Sequence, residues 1–283
     1  MILVTGATGT IGSDLVRQLA ARGEKVRALT RDLDRASVPS GVEVVRGDYR
    51  DPESVRAAMD AVTAAFLVGV PGSGAQHDGE LVDAARAAGV GRLVKLSAIG
   101  TGDPALGPSG AWHLPGERAL RNSGAQWTVL RPSVFASNTL SWAPAIRAGE
   151  PVPNMTGAGR QGVVDPRDVS EVAARALLEA GHSGRTYTLT GPEPVSVAEQ
   201  AAVLAAVLGR PVTTRDLSVE EARDLLAGWG LDAEAAEGVL AGNAYVRRGR
   251  NAVVTDDVPR VLGRPARGYR EWAVDHRAAF AEG

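Results

Sequence analysis

The chain has 283 residues, no cysteine and a formal net charge of −2, from 31 Lys and Arg against 33 Asp and Glu. That length allows one large domain or two modest ones around a substantial core, and 44% hydrophobic with 23% charged residues is the make-up of a folded globular protein. The near-neutral balance removes the electrostatic footprint of a nucleic-acid binder, and the lack of cysteine excludes disulfides, thiolate metal sites and a cysteine nucleophile.

No stretch reads as an export signal or a membrane span. Residues 1–13 are uncharged but lack a basic leader and are rich in Gly and Thr. Residues 61–77 and 132–146 are short and interrupted, whereas a spanning helix needs about 20 apolar residues. The expected location is the cytoplasm, whose reducing chemistry suits a chain without cysteine.

In chain order, residues 2–5 predict a strand. Residues 10–22 predict a helix, with Ile11, Leu15 and Leu19 on one face and Gly23 as its stop. Strands follow at 25–30 and 42–46, a helix at 51–60 with Pro52 at its first position, and a strand at 63–69. A helix is expected at 79–88, a strand at 92–97, a helix around 118–122 and a strand at 127–131. Strand and helix in strict alternation imply a parallel sheet covered on both faces, a doubly wound α/β fold of Rossmann type.

Beyond this the pattern loosens. Asp165, Pro166 and Asp168 open a helix running to Gly181. Residues 185–190 predict a strand that rejoins the first sheet, and Ser196 with Glu199 forms a capping box for a helix ending at Leu208. The rest reads as helices and loops. The expected division is a nucleotide-binding domain at 1–136 and a smaller, mainly helical substrate-binding lobe at 137–283, packed as one unit.

Three glycines stand at three-residue spacing between the first strand and the first helix: Gly6, Gly9 and Gly12, within Thr5-Gly6-Ala7-Thr8-Gly9-Thr10-Ile11-Gly12. The first permits the tight turn, the second lets backbone approach a pyrophosphate, and the third lets the helix pack closely. The helix start then offers free N–H groups and a positive dipole end to phosphate. The expected contacts are Gly6, Thr8, Gly9, Thr10, Ile11 and Gly12.

The residue after the second strand selects the cofactor. An acid there would bond ribose hydroxyls, whereas an arginine pairs with a 2′-phosphate. Arg31 holds that position, which favours NADP(H) over NAD(H); the alternative is a surface charge paired with Asp32 or Asp34. Asp48 and Tyr49 follow the third strand and are expected at the adenine, unless Asp48 caps the next helix. Val68, Gly69 and Val70 end the fourth strand and are expected along the ribose.

These segments resemble the short-chain dehydrogenase/reductase superfamily in its atypical, NmrA-like branch. The matching pieces are TGATGTIG at 5–12, LTRD at 29–32, GDYRDPESV at 47–55, GVGRLVKLSAIG at 89–100, H-LPG-E at 113–117, SGAQWTVLRPSVFASN at 123–138, DPRDVSEVAARAL at 165–177 and TYTLTGPEPVSVAEQAAVLAAVLGRPV at 186–212. The resemblance covers nearly the whole chain, most weakly after 215. It implies activities such as quinone reduction or, in silent members, NADP sensing.

Most of that superfamily uses a Tyr as proton donor with a Lys four residues later. Here the tyrosines are 49, 187, 245 and 269, and the residues four positions on are Glu53, Gly191, Gly249 and Ala273. The pair is absent, and by register His113 and Glu117 occupy its place, as in the quinone-reductase members. The resemblance implies that His113 supplies a proton, since free imidazole titrates near neutral pH, unless it merely starts a helix. It implies that Glu117 touches the cofactor ribose and that Ser97 lines the site. Trp112, Phe135, Asn138 and Trp142 are expected around a planar substrate, with core packing the competing role for each. No metal site is expected. Two functions compete: an NADPH-dependent reductase of quinones or related conjugated carbonyls, working in a cleft between the lobes, and a non-catalytic NADP-binding redox sensor.

Overall fold

A computed structural model describes residues 1–34, 36–69 and 77–281. Seven strands form one sheet in the order β3-β2-β1-β4-β5-β6-β9: β1 (Ile2–Val4), β2 (Val26–Thr30), β3 (Glu43–Arg46), β4 (Ala64–Val68), β5 (Arg92–Leu96), β6 (Gln126–Pro132) and β9 (Arg185–Leu189). Pairing from β3 through β6 is parallel, with Leu3 level with Arg27 and Ala65, and Val94 level with Phe66 and Thr128. The order reverses at β1, and that switch point lies beside the glycine loop.

The central strands β1 and β4 are apolar along their length because helices cover both faces. On one side α1 (Thr10–Ala21) packs against α6 (Pro166–Leu178). On the other lie α2 (Pro52–Ala58), α3 (His77–Ala87) and α4 (Leu114–Arg121). Their core joins Leu3, Ala65, Leu67, Leu93 and Val129 of the sheet to Val55, Leu81, Val82 and Leu120 of the helices. The helix expected at 51–60 begins at Pro52, and Asp51 caps it by accepting from the Glu53 and Ser54 amides.

The chain divides into two compact units that interleave in sequence. The first holds residues 1–102, 111–132 and 166–188, and the second 103–110, 133–165 and 189–283. The division falls at 132/133 where the sequence suggests 136/137, and the α6–β9 segment returns to the first unit.

The second unit has its own core of Ala136, Ile146, Val163, Leu204, Trp272 and Phe280, among others. Its elements are α5 (Ala143–Ala148), β7 (Val152–Asn154), β8 (Arg160–Gln161), β10 (Val195–Ser196), α7 (Val197–Leu208), β11 (Thr214–Asp216), α8 (Val219–Gly228), α9 (Ala233–Arg247), α10 (Asp257–Leu262) and α11 (Tyr269–Asp275). The capping box at Ser196 and Glu199 forms as expected, and a second one links Ser218 to Glu221 at the start of α8. No helix among the described residues is long and apolar enough to cross a membrane.

Candidate cofactor and active site

The glycine loop is built around a contact that leaves no room for a side chain at Gly12. Gly6 has φ +61°, and its carbonyl accepts from the Gly9 amide at 3.0 Å. A Cβ on Gly12 would press into the Gly6 carbonyl oxygen and lie 2.8 Å from its carbon and 3.0 Å from Ala7 Cα, so the first turn of α1 rests directly on the loop. Thr5, fully buried, fixes the loop to the next strand: its hydroxyl donates to the Phe66 carbonyl at 3.1 Å and accepts from the Val68 amide at 2.8 Å.

Thr8, Gly9 and Thr10 are exposed. Gly9 is the N-cap of α1 and offers no side-chain cap, and the first turn carries no acid. Helices α2, α7, α8 and α9 each receive a side-chain cap from Asp51, Ser196, Ser218 or Asp232, whereas α1, like α4, α5, α10 and α11, receives none; α1 alone of these follows the glycine loop. The start of α1 thus keeps its amides and positive dipole end for an anionic group.

Arg31 is exposed just after β2, and among the described residues no carboxylate pairs with it. Asp32 is engaged locally, its Oδ1 accepting from the Asp34 amide at 3.1 Å. Asp48 is not a helix cap. Its Oδ1 accepts from the Arg50 amide at 3.0 Å while Asp51 does the capping. The Tyr49 hydroxyl donates to the Val68 carbonyl at 2.7 Å, tying this loop to the end of β4, and burial pushes its pKa up. Val68 and Gly69 are half-buried at that strand end; Val70 lies outside the described residues.

Three expectations drawn from the resemblance need correction. Glu117 is fully buried, and its two oxygens accept from Arg131 Nε at 2.9 Å and Arg131 and Arg121 guanidinium nitrogens at 2.7 Å each, with the Ser97 hydroxyl donating at 2.7 Å. Despite burial, those donors hold its carboxyl down at about 2. With four donors on two oxygens it is the hub that joins α4 to β5 and β6, and nothing is left for a ribose. Ser97 is spent likewise, on Glu117 and on Thr101 at 3.1 Å.

His113, the N-cap residue of α4, differs from expectation in charge. Burial, with Lys95 adding to it, pushes its imidazole from 6.5 down to about 3. It is neutral through the physiological range and carries no spare proton there. Between pH 6.5 and about 3 the unfolded chain takes up a proton on this residue that the folded chain refuses. Stability therefore falls as pH falls, by up to about 1.4 kcal/mol per unit. Urea midpoints from pH 7 to 5 are expected to drop more steeply for wild type than for His113→Gln; parallel curves would mean the folded imidazole is well hydrated.

A buried ion pair beside His113 escaped the sequence reading. Lys95 Nζ, in the middle of the apolar β5, lies 2.6 Å from Asp78 Oδ1 near the start of α3, and both side chains are sealed from solvent. The ammonium also donates to the Leu96 carbonyl at 3.0 Å. The available signal was Lys95 itself: a charge inside a strand buried on both faces must have a partner. Trp112 stands next to His113, half-buried, its indole N–H buried without a hydrogen-bond partner among the described residues.

The remaining candidates belong to the second unit. Phe135 is half-buried and bridges to Val164, and Asn138 is exposed in the helical turn that follows. Trp142 packs in the hydrophobic core with Ile146 and Val163, so the competing core role is the one it takes. Among the described residues no three His, Asp or Glu side chains gather as a metal site.

Comparison with known proteins places the chain. Residues 6–180 match the family model described as NAD(P)H-binding, and the chain belongs to that family. It is 43% identical over 284 residues to the (4-alkanoyl-5-oxo-2,5-dihydrofuran-3-yl)methyl phosphate reductase of Streptomyces griseus, covering 99% of both chains. It is 37% identical over 284 residues, again 99% of both, to the NAD(P)H azoreductase of Xenophilus azovorans. Among solved structures, the NADPH-dependent quinone oxidoreductase of Escherichia coli complexed with NADPH superposes with a TM-score of 0.85 at 26% identity, covering 97% of this chain and 99% of that one. The sequence-level resemblance and the Rossmann-type fold stand, and the chain is an NAD(P)H-dependent oxidoreductase.

Proposed function

We propose that this protein uses NADPH to reduce a quinone or a related electron-poor conjugated carbonyl. The observation that carries the reading is the start of α1, where Gly12 is bare because backbone fills its Cβ position and neither a cap nor an acid competes for the helix end. Gly6, Thr8, Gly9, Thr10, Ile11 and Gly12 hold the diphosphate there. Arg31 pairs with the 2′-phosphate, Asp48 faces the adenine with Tyr49 steadying its loop, and Val68 and Gly69 run along the ribose. The bound dinucleotide supplies a hydride equivalent, and the protein's own task is to orient the acceptor and keep competing chemistry away. Trp112 offers a flat wall for a planar acceptor.

The missing Tyr-Lys pair and the neutral His113 support an acceptor that needs no strong acid beside it. A quinone, an azo bond and an alkene conjugated to a ring carbonyl all spread the incoming charge, and such acceptors are named in the relatives. The cytoplasm is the compartment this chemistry and the cysteine-free chain suit.

NADPH oxidation across a panel of quinones and conjugated lactones tests the proposal. Sustained turnover is expected with at least one class, and tight NADPH binding with no turnover would favour the sensor. Arg31→Glu is expected to weaken NADPH by about 100-fold, the worth of a charge-assisted phosphate pair, with little change for NADH. Equal loss of both cofactors in calorimetry would remove Arg31 from the phosphate.

A further inference from the structure

The Lys95–Asp78 pair has a feature that a purely structural ion pair does not need. Asp78 Oδ1 is held by Lys95, but Oδ2 is buried with no hydrogen-bond partner among the described residues. Facing it at 4.0 Å is His113 Nδ1, also buried and also without a partner among the described residues. Two unmatched polar atoms in one dry place satisfy each other by a movement of about 1 Å, and hydrogen bonds at active sites commonly tighten on ligand binding. Burial pushes the Asp78 pKa up, and the Lys95 ammonium, with a smaller contribution from the Gly116 amide, works against that rise.

The surroundings are shaped to admit this carboxylate. A Cβ on Gly69, at the end of β4, would lie 2.8 Å from Asp78 Cγ, and one on Gly116, in α4, would lie 2.5 Å from the same atom. Asp78 is thus wedged between the strand end assigned above to the cofactor ribose and the helix that carries His113. Among the described residues the charged groups bearing on the imidazole are Asp78 from α3, Lys95 from β5, Glu117 from α4 and Arg131 from β6. Glu117 and Arg131 are bound to each other, so among these Asp78 has the oxygen to give.

We propose that Lys95 and Asp78 are positioning residues that hold His113 as the neutral imidazole protonated on Nδ1, so that its bare Nε2 accepts from, and orients, the water that completes the reduction. His113 is then an orienting group and not the acid. In the reduction the acceptor would gain a hydride with its electron pair from bound NADPH, leaving NADP+, and the completing proton would come from water, leaving hydroxide. This deepens the reading of the same site given above and rests on it for the last step only.

The test reads the tautomer directly. Long-range proton–nitrogen spectra of nitrogen-15 protein, with His113 assigned by His113→Gln, are expected to show Nδ1 protonated, Nε2 bare and no titration between pH 8 and 5. The double variant Asp78→Ala/Lys95→Met leaves neither buried charge alone and should fold. In it the Nδ1 proton is expected to move to Nε2, with kcat at least about 10-fold lower and NADPH affinity within about 2-fold of wild type, since the phosphate contacts are untouched. In Lys95→Met the unpaired carboxylate is expected to bring His113 back into titration near or above pH 6.5. An Nε2-protonated His113 in wild type, or a double variant that keeps the Nδ1 proton, would overturn the proposal. Failure of wild type to bind NADPH would instead sink the functional reading and leave the tautomer result standing.

Discussion

Glu117→Ala is expected to lower the free energy of unfolding by about 3 kcal/mol, the low end for breaking a buried ion pair. The low end applies because the stranded partners can reach water: the side chains of Arg131 and Arg121 are 24% and 38% exposed. Arg121 also lies over the Trp127 ring at 5.5 Å, which keeps it in place when the carboxylate goes. The same group sets an acid limit. Its carboxyl titrates at about 2 when folded against an ordinary 4.5. The stabilisation is therefore whole above pH 4.5 and is lost as pH falls from there toward 2, again about 3 kcal/mol in all. Urea melts of wild type and variant should converge at low pH. A variant as stable as wild type at pH 7 would mean the four hydrogen bonds merely offset the cost of drying the charge.

Gly12→Ala is expected to cost about 3 kcal/mol of stability and about 100-fold or more in NADPH affinity together. Its methyl would meet the Gly6 carbonyl and Ala7 Cα, which are backbone and cannot swing aside, so α1 must lift from its loop. Gly9→Ala is the control. Its Cβ would meet only the Gly6 oxygen, at 3.3 Å, and its φ of −86° suits any residue. It should leave the melt nearly unchanged while weakening NADPH, because the added methyl stands where phosphate approaches. Gly12→Ala with normal melting and normal calorimetry would show that the helix start does not depend on that packing.

The architecture was legible because parallel strands and amphipathic helices each leave a periodic trace. The glycine triplet was legible because backbone crowding restricts residue choice at a fixed spacing. The site beyond the loop was less so. Asp78 and Lys95 are far apart in sequence and meet only because α3 lies over β5, and nothing local marks the aspartate. Glu117 sits in the first turn of a helix behind a proline, where an acid ordinarily faces water; its burial depends on arginines from α4 and β6. Trp142 shares its aromatic character with site and core alike, and only the packing against Ile146 and Val163 decided between them. The helices after residue 209 left stronger marks than the sequence reading used, since Ser218 and Glu221 repeat the signature read at Ser196 and Glu199.

The burial of Lys95 has a practical side. The chain contains two lysines, at 25 and 95, and Lys25 is exposed at the edge of β2 while Lys95 is sealed inside. Amine-directed reagents will therefore find one lysine side chain. A dye, a polymer or an electrode linker can be attached there, with the terminal amine as the competing site, and the tether will leave from the amino end of the sheet, opposite the carboxyl ends where ligands of this fold bind.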